Sequence, residues 1–452
     1  MARIAPLCGV RYNTDKIKKM EDVVSPPYDV IDVQSQAALI GKNPYNMINL
    51  DLRKSVKVDA LADGRYQQAS ERFNKWLAES VLIQDQQPAM YLYSTDYTTP
   101  SGKKFIRKGF ISLAGLAEFA EGVVKPHEKT FRGVTTDRLN LIDACKAQFS
   151  PIFSLYSDPA GDVMACLEKA CDSEPLYSVS DQDGCSHTIW AVTDRLAIEK
   201  VQNLFVEKSI YIADGHHRYT TSLQLRELMR QRLGSVEPTS PFDYTMMYFC
   251  AMEDEGLSVL PTHRLVRIPY IATVDSLVSR LMESFDVEEL MNGSRESLIG
   301  EVLGRMEEHA SSTMFGFYHT ASDRCFLLSL KDGVMEQTCS AKHPKSLQEL
   351  DVVVLSELVL ECSLDLSKDL CEKDGLINYF ADPDEALDAA VKETAVDDGC
   401  SPVLFLMNST LVEQVRRIAD EGLVMPHKST YFYPKVLTGL VINKLVGTDT
   451  IK

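Results

Sequence analysis

The chain has 452 residues, 45% apolar and 25% charged, which is long enough for two or three domains and free of any bias against a packed core. Its 65 Asp and Glu against 47 Lys and Arg leave a formal charge of −18, a field that repels the phosphodiester backbone and disfavours nucleic acid as a partner. No apolar run approaches the ~20 residues of a membrane span, the opening MARIAPLCGVRYN lacks a signal-peptide layout, and the 11 cysteines show no metal-ligand spacing. A cytoplasmic protein with reduced thiols and no membrane partner is expected.

Near the start, VVSPPYDVID sets Pro26-Pro27 before Tyr28 and Asp29, which forbids helix and fixes a loop. A helix is expected from Asp59 to Leu82, on the apolar spacing of Leu61, Tyr66, Phe73, Trp76 and Leu77. Two strands, AMYLYSTDYT and Lys104 to Leu113, flank the turn Pro100-Ser101-Gly102. A loop follows, then a helix over about 136–146 and a strand ending near Tyr156. Between Asp158 and Gln202 come a helix, a turn at DQDG and the strand HTIWAVT. A strand over 209–213 runs into a helix from 215 to about 233, and the wholly apolar YTMMYFCAM reads as a buried strand.

From Ile268 the pattern changes. Helices are expected at 273–284, 295–308, 346–361, 384–395 and 409–421, with strands at 313–319, 325–330 and 402–407. A boundary near 265–270 follows, with an α/β part over 1–267 and a second over 268–452, closely packed on the first. The fold class expected is mixed α/β (α+β).

The chemistry concentrates at three places. In IYIADGHHRYTTSLQLREL a strand ends in Asp214, which can cap the following helix. Gly215 lets backbone approach a ligand closely. The amide-rich helix start is an anion site, and His216, His217 and Arg218 add donors, Arg218 in the two-pronged geometry that suits phosphate or carboxylate. The purely structural reading, a capped helix with an internally bonded histidine pair, is the weaker one for five polar residues after an apolar strand. In KPHEKTFRGVTTDRLNL, residues His127, Glu128, Lys129 and Arg138 lie close together, and a carboxylate among cations stays ionised, so Glu128 can bind metal or take a hydroxyl proton. On its own a solvated charged loop is the better reading there. In LVMPHKSTYFYPKVLTGLV, the run Lys428-Ser429-Thr430 resembles the end of a phosphate loop without its glycines, and Lys428 and Lys435 can reach an anion. For SPPYD, an ordered turn is as good a reading as a ligand role for Tyr28 and Asp29.

SPPYDVI, KPHEKT…DRLNL…SPIFSLY, IADGHHRY and MPHKSTYFYPK occur in this order from residue 25 to 435. In this the chain resembles a bacterial and archaeal family known as domain of unknown function 1015, whose name brings no activity. Over a shorter span, Asp214-Gly215-His216-His217-Arg218 resembles the phosphate-binding corner of the ParB/sulfiredoxin-like fold. That superfamily includes CTP-hydrolysing partition proteins, sulfiredoxin and free-serine kinases with an Asp-Gly-His-His-Arg stretch. The resemblance implies a ParB/sulfiredoxin-like nucleotide-binding core with large additions. By the motif, residues 214 to 218 hold nucleotide phosphate. The glutamate that acts on the serine hydroxyl is assigned to Glu128 on its polar setting, since the flanking residues do not align.

The leading expectation is a phosphotransferase of the serine-kinase type, using ATP or ADP with Mg²⁺ on a small hydroxyl metabolite. Gly215, His216, His217 and Arg218 would hold phosphate, Lys428, Ser429 and Thr430 would close the site, and Glu128 or Asp214 would take the proton. Tyr28, Asp29, His127, Lys129, Arg138 and Lys435 complete the candidate set. A nucleotide-sensing or nucleotide-hydrolysing regulator is the second reading. A metal-dependent hydrolase is third, because adjacent histidines are awkward co-ligands compared with an i, i+4 pair. The acceptor, the nucleotide and the oligomeric state are left open.

Overall fold

A computed structural model of the chain describes residues 1–52, 64–234, 239–310, 312–394 and 399–445. It divides into two compact units, one of Met1–Ser258 with Pro434–Lys452 and one of Val259–Tyr433. The expected cut at 267/268 therefore falls inside a strand of the second unit, and the last residues return to the first.

Among the described residues the first unit carries a nine-stranded mixed sheet. Its strands are β1 (Ile4–Ala5), β2 (Met90–Thr98), β3 (Lys104–Gly115), β4 (Val124–Lys125), β5 (Ile152–Tyr156), β6 (Tyr177–Ser180), β7 (Ser186–Val192), β8 (Ile210–Asp214) and β9 (Tyr244–Ala251). They lie in the order β4-β8-β5-β9-β3-β2-β7-β6, with β1 beside β3. The pairs β4–β8 and β5–β9 are parallel and the others antiparallel.

All eight residues of β9 are buried, as its unbroken apolar sequence requires of a strand covered on both faces. On one side Phe110, Phe249, Tyr156 and Phe205 form the core beneath the helices Asp162–Ala170 and Arg195–Phe205. On the other, the terminal segments lie over the sheet. Gly9 donates its N–H to Tyr91 Oη at 2.9 Å, Tyr177 donates to the Leu440 carbonyl, and Arg107 donates from Nη1 to the Pro434 carbonyl at 2.7 Å.

The helix expected over 59–82 is observed as Arg65–Ala78; residues 59–63 lie outside the described residues, and Leu82 opens a short strand. The helix expected from 136 begins at Arg132.

In the second unit six strands form an antiparallel sheet, in the order Phe285–Leu290, Arg324–Leu330, Met314–His319, Ser401–Leu406, His263–Ile268, Ile377–Phe380. Helices Arg295–Glu308 and Pro383–Thr394 supply Ile299, Val302, Met306, Ala386 and Ala390 to its core. The single helix expected over 346–361 is instead two short helices, Lys345–Gln348 and Asp351–Val354, running into a π-helix at Leu355–Ser363. An extended Leu350 separates the short helices, and Leu364 N–H bonding back to the Val359 carbonyl at 2.9 Å shows the wider turn. Apolar spacing over so few residues does not separate the two periods. Among the described residues no helix is long and apolar enough to cross a membrane, and all 11 cysteines are free thiols.

Gly109 in β3 sits where a Cβ would come within 2.3 Å of the Phe249 carbonyl oxygen and 2.6 Å of the Tyr248 ring. Backbone cannot yield as a side chain can, so Gly109→Ala is expected to cost at least about 1–3 kcal/mol in the unfolding of the first unit, read by chemical denaturation. Gly102→Ala in the nearby turn, where φ is +79° with open space around, tests the separate cost of backbone strain.

Candidate functional site: the strand-to-helix corner

A bulge precedes the corner. Ile212 pairs with Ser154, and the next partnered residue, Asp214, pairs with Phe153, so the strand gains a residue and re-aims Asp214. The helix α1 (His216–Leu233) then begins from Gly215, whose φ of +99° suits glycine alone. A Cβ there would also lie 2.9–3.0 Å from the Arg218 guanidinium, which folds back over Gly215.

The expected capping role of Asp214 is not what the structure shows: Gly215 is the cap residue, with no side-chain cap bond. The Asp214 carboxylate instead takes Arg218 Nη2 at 2.6 Å and Lys435 Nζ at 2.8 Å. Burial opposes its ionisation, but Lys435 and Arg218 outweigh burial and hold the carboxyl well below the usual range. The first backbone bond of α1 is Tyr219 N–H to the Gly215 carbonyl, so the amides of residues 216–218 have no partner within the helix. Gly215, His217 and Arg218 are half-buried and His216 is buried.

The two histidines are anchored in different directions. His216 Nε2 accepts the His127 backbone N–H at 3.2 Å, and its ring meets His127 edge-on with centroids 4.6 Å apart. Glu128 Oε2 lies 3.8 Å from His216 Nδ1, so the loop glutamate stands beside the corner. Burial pushes His216 far down and His127 to about 4, leaving both neutral. His217 Nε2 accepts the Phe131 N–H at 3.0 Å, and its ring stacks on Phe131 at 5.8 Å. Among the described residues no three His, Cys, Asp or Glu are grouped to hold a metal. Lys129 and Asp29 are exposed.

Beside Arg218 opens a cavity of about 50 Å³ whose polar lining includes Tyr28, Asp51, Arg138 and Ser150. By the same measure a water needs roughly 10–15 Å³, so a phosphate-sized group fits and a whole nucleotide does not. Arg138 is largely committed: Nε and Nη2 go to Asp137 Oδ2 at 2.9 and 2.6 Å, Nη1 to the Asp51 carbonyl at 2.6 Å, Nη2 also to the Leu52 carbonyl at 3.0 Å. Its guanidinium lies 4.1 Å from the Tyr28 ring centroid. Leu52 pays for that carbonyl orientation with a φ of +45°, rare for a branched side chain.

Asp51 was absent from the sequence candidates. It is 5% exposed, its Oδ1 is 3.6 Å from Arg138 Nη1, and its buried Oδ2 has no hydrogen-bond partner. Burial, opposed by Arg138 and Arg218, pushes its carboxyl up to about 6. The sequence signal was slight: one acid in the apolar run INLDL, far from any motif. Ser150, by contrast, begins the SPIFSLY stretch.

Lys428, Ser429 and Thr430 belong to the second unit. Lys428 is exposed with φ of +58°, and Thr430 is half-buried. Ser429 donates from Oγ to the Pro426 carbonyl at 2.6 Å, while its own carbonyl accepts from Thr410 Oγ1 at 2.7 Å. The serine thus closes a local turn.

A mixed α/β protein with a cation-lined cavity at a glycine-started helix is the class these features define. The chain belongs to the family described as protein of unknown function DUF1015, whose model matches residues 4–353. No curated protein matches it. Among solved structures it is similar to a mutant free serine kinase in complex with ADP, at 13% identity over 71% of this chain and 90% of that one, TM-score 0.33. It is similar also to a conserved hypothetical protein from Pyrococcus furiosus (14%, 73% and 94%, TM-score 0.33) and to C-terminally truncated SbnI from Staphylococcus aureus (10%, 75% and 90%, TM-score 0.33). Likeness at that level does not speak to activity.

The raised Asp51 carboxyl has a sign that can be measured. The folded state holds the proton up to about pH 6 and the unfolded state only to about 3.9, so stability falls as pH rises between those values, by roughly 3 kcal/mol. Asp51→Asn should flatten that slope in denaturation of the first unit between pH 4.5 and 6.5. Asp214 acts oppositely, and its contribution is lost only as pH drops below about 4.

Proposed function

We propose that the first unit binds nucleotide phosphate at the start of α1 and transfers a phosphoryl group to the hydroxyl of a small metabolite. Serine is the first acceptor to try, because Asp214-Gly215-His216-His217-Arg218 resembles the free-serine-kinase stretch. The observation that carries the reading is the convergence of Arg218, Asp51, Ser150 and Tyr28 on one phosphate-sized cavity.

Arg218 spends two donors on Asp214 and the Pro151 carbonyl, and the rest of its fork is available to phosphate oxygens. Lys435 and Asp214 fix its position. Arg138, bound to the Asp51 and Leu52 carbonyls, acts through Asp51 as a positioning residue. Among the carboxylates, Asp214 is held strongly ionised by two cations and is therefore a weak base, and Glu128 stands against His216, while Asp51 lines the cavity with its carboxyl raised to about 6 and its Oδ2 without a hydrogen-bond partner. Asp51 is therefore the group assigned to take the proton. As the hydroxyl oxygen bonds to phosphorus, the bond to the nucleotide's bridging oxygen breaks with its electron pair, and the hydroxyl proton passes to the Asp51 carboxylate. Mg²⁺ would arrive on the phosphates and take one or two of the carboxylates near the corner. When bound it would neutralise phosphate charge.

The test uses the full chain with serine and γ-labelled ATP, and separately ADP. Wild type should bind nucleotide and form phosphoserine. Arg218→Ala should weaken nucleotide binding at least tenfold, and Asp51→Asn should bind nucleotide yet transfer about 10²–10⁴ times more slowly. Nucleotide turnover that ignores every hydroxyl acceptor would favour the regulatory reading instead, and absence of nucleotide binding would end both.

A further inference from the structure

The second unit holds a buried cation that its own surroundings do not compensate. Arg264 is 5% exposed, and its guanidinium meets the Thr262 carbonyl at 2.6 Å, the Lys428 carbonyl at 3.3 Å and the Tyr379 ring at 5.6 Å. Among the described residues no carboxylate pairs with it within 4 Å. Burial pushes the guanidinium down to about 10, with only partial relief from Tyr379 and Asp351. Asp351 is itself pushed up to about 6, chiefly by burial, despite its hydrogen bonds to Thr313 and Asn408.

Arg107 in the first unit gives the contrast. It is more deeply buried, with Nη1 on the Pro434 carbonyl and with Nε and Nη2 lacking a hydrogen-bond partner, so aromatic rings rather than a cavity enclose its charge. Rings of Phe153 and Tyr248 stand against its guanidinium at 4.8 and 5.5 Å. Arg264 instead lines a cavity of about 60 Å³, room for a few non-hydrogen atoms where one water needs roughly 10–15 Å³. One wall is the π-helix, through Leu355 and Leu360, and another is the Pro426-His427 end of the MPHKST motif. Helices of that kind are rare and recur at functional sites. Exposed His427, Lys368 and Glu372 also line the cavity, the last two pairing with each other at 3.9 Å.

A buried charge is costly unless paired, and here the unpaired side faces space with apolar walls. We propose that this cavity binds a short-chain carboxylate, its oxygens on Arg264 and its alkyl end against Leu355, Leu360 and Ile377. A guanidinium matches a carboxylate's two oxygens, whereas a phosphate, with more charge to satisfy, would meet mostly hydrocarbon.

Titration calorimetry on the full chain with butyrate, acetate and inorganic phosphate decides it. Butyrate should bind, more tightly than acetate or phosphate. Arg264→Lys keeps the charge but loses the fork, and should weaken butyrate at least tenfold. Two variants at exposed positions guard against misfolding: Glu372→Lys should tighten butyrate several-fold and His427→Glu should weaken it. Arg218→Ala, in the first unit, should leave butyrate binding as it was. No butyrate binding, preference for phosphate, indifference to all three second-unit variants, or loss on Arg218→Ala would each overturn the proposal.

Discussion

The candidate site in the first unit depends on one carboxylate held between two cations. Asp214 reaches its place through a bulge in the last strand before the helix, and there it takes Arg218 from its own helix and Lys435 from the C-terminal return. Those contacts fold the Arg218 guanidinium across Gly215, at a distance that leaves no room for a Cβ. The glycine, the bulge and the two cations are thus parts of one constraint. The same constraint holds the Asp214 carboxyl well below its usual range, which makes it a weak base and moves proton transfer to another acid.

The neighbouring histidines show how burial decides chemistry. His216 and His127 stand edge to edge under the corner and are neutral because no water reaches them. A neutral His216 can accept the His127 amide and hold the PHEKT loop in place, with Glu128 beside it. Adjacent positions on a helix point about 100° apart, and His217 accordingly serves a different amide, that of Phe131. The pair therefore fastens a loop at two points.

Buried arginines recur, and their settings differ in kind. Arg138 has a carboxylate, two carbonyls and a tyrosine ring, so its charge is spent on shaping the Asp51 turn. Arg107 is enclosed by aromatic side chains and the Pro434 carbonyl. Arg264 has carbonyls and a ring but an open flank. Burial alone does not mark a site; an uncompensated charge facing space does.

The sequence by itself determined the mixed α/β class, the run of strands from Met90 to Gly115, the buried strand Tyr244–Ala251 and the corner from Asp214 to Arg218. Each of these is written in local pattern: apolar runs of strand length, a helical repeat, or a glycine between an acid and a basic turn. It read the helix over 346–361 as unbroken and gave no strand at Phe285–Leu290, an edge strand in which Asp286, Glu288 and Glu289 obscure the apolar alternation. Only the tertiary structure decided that residues 434–445 return to the first unit, that Asp214 is an ion-pair partner rather than a cap, and that Asp51 faces the cavity. Those outcomes depend on groups far apart in the chain, Asp214 with Lys435 and Asp51 with Arg138, and on how much water each group loses on folding. Neither quantity has a signature in local sequence.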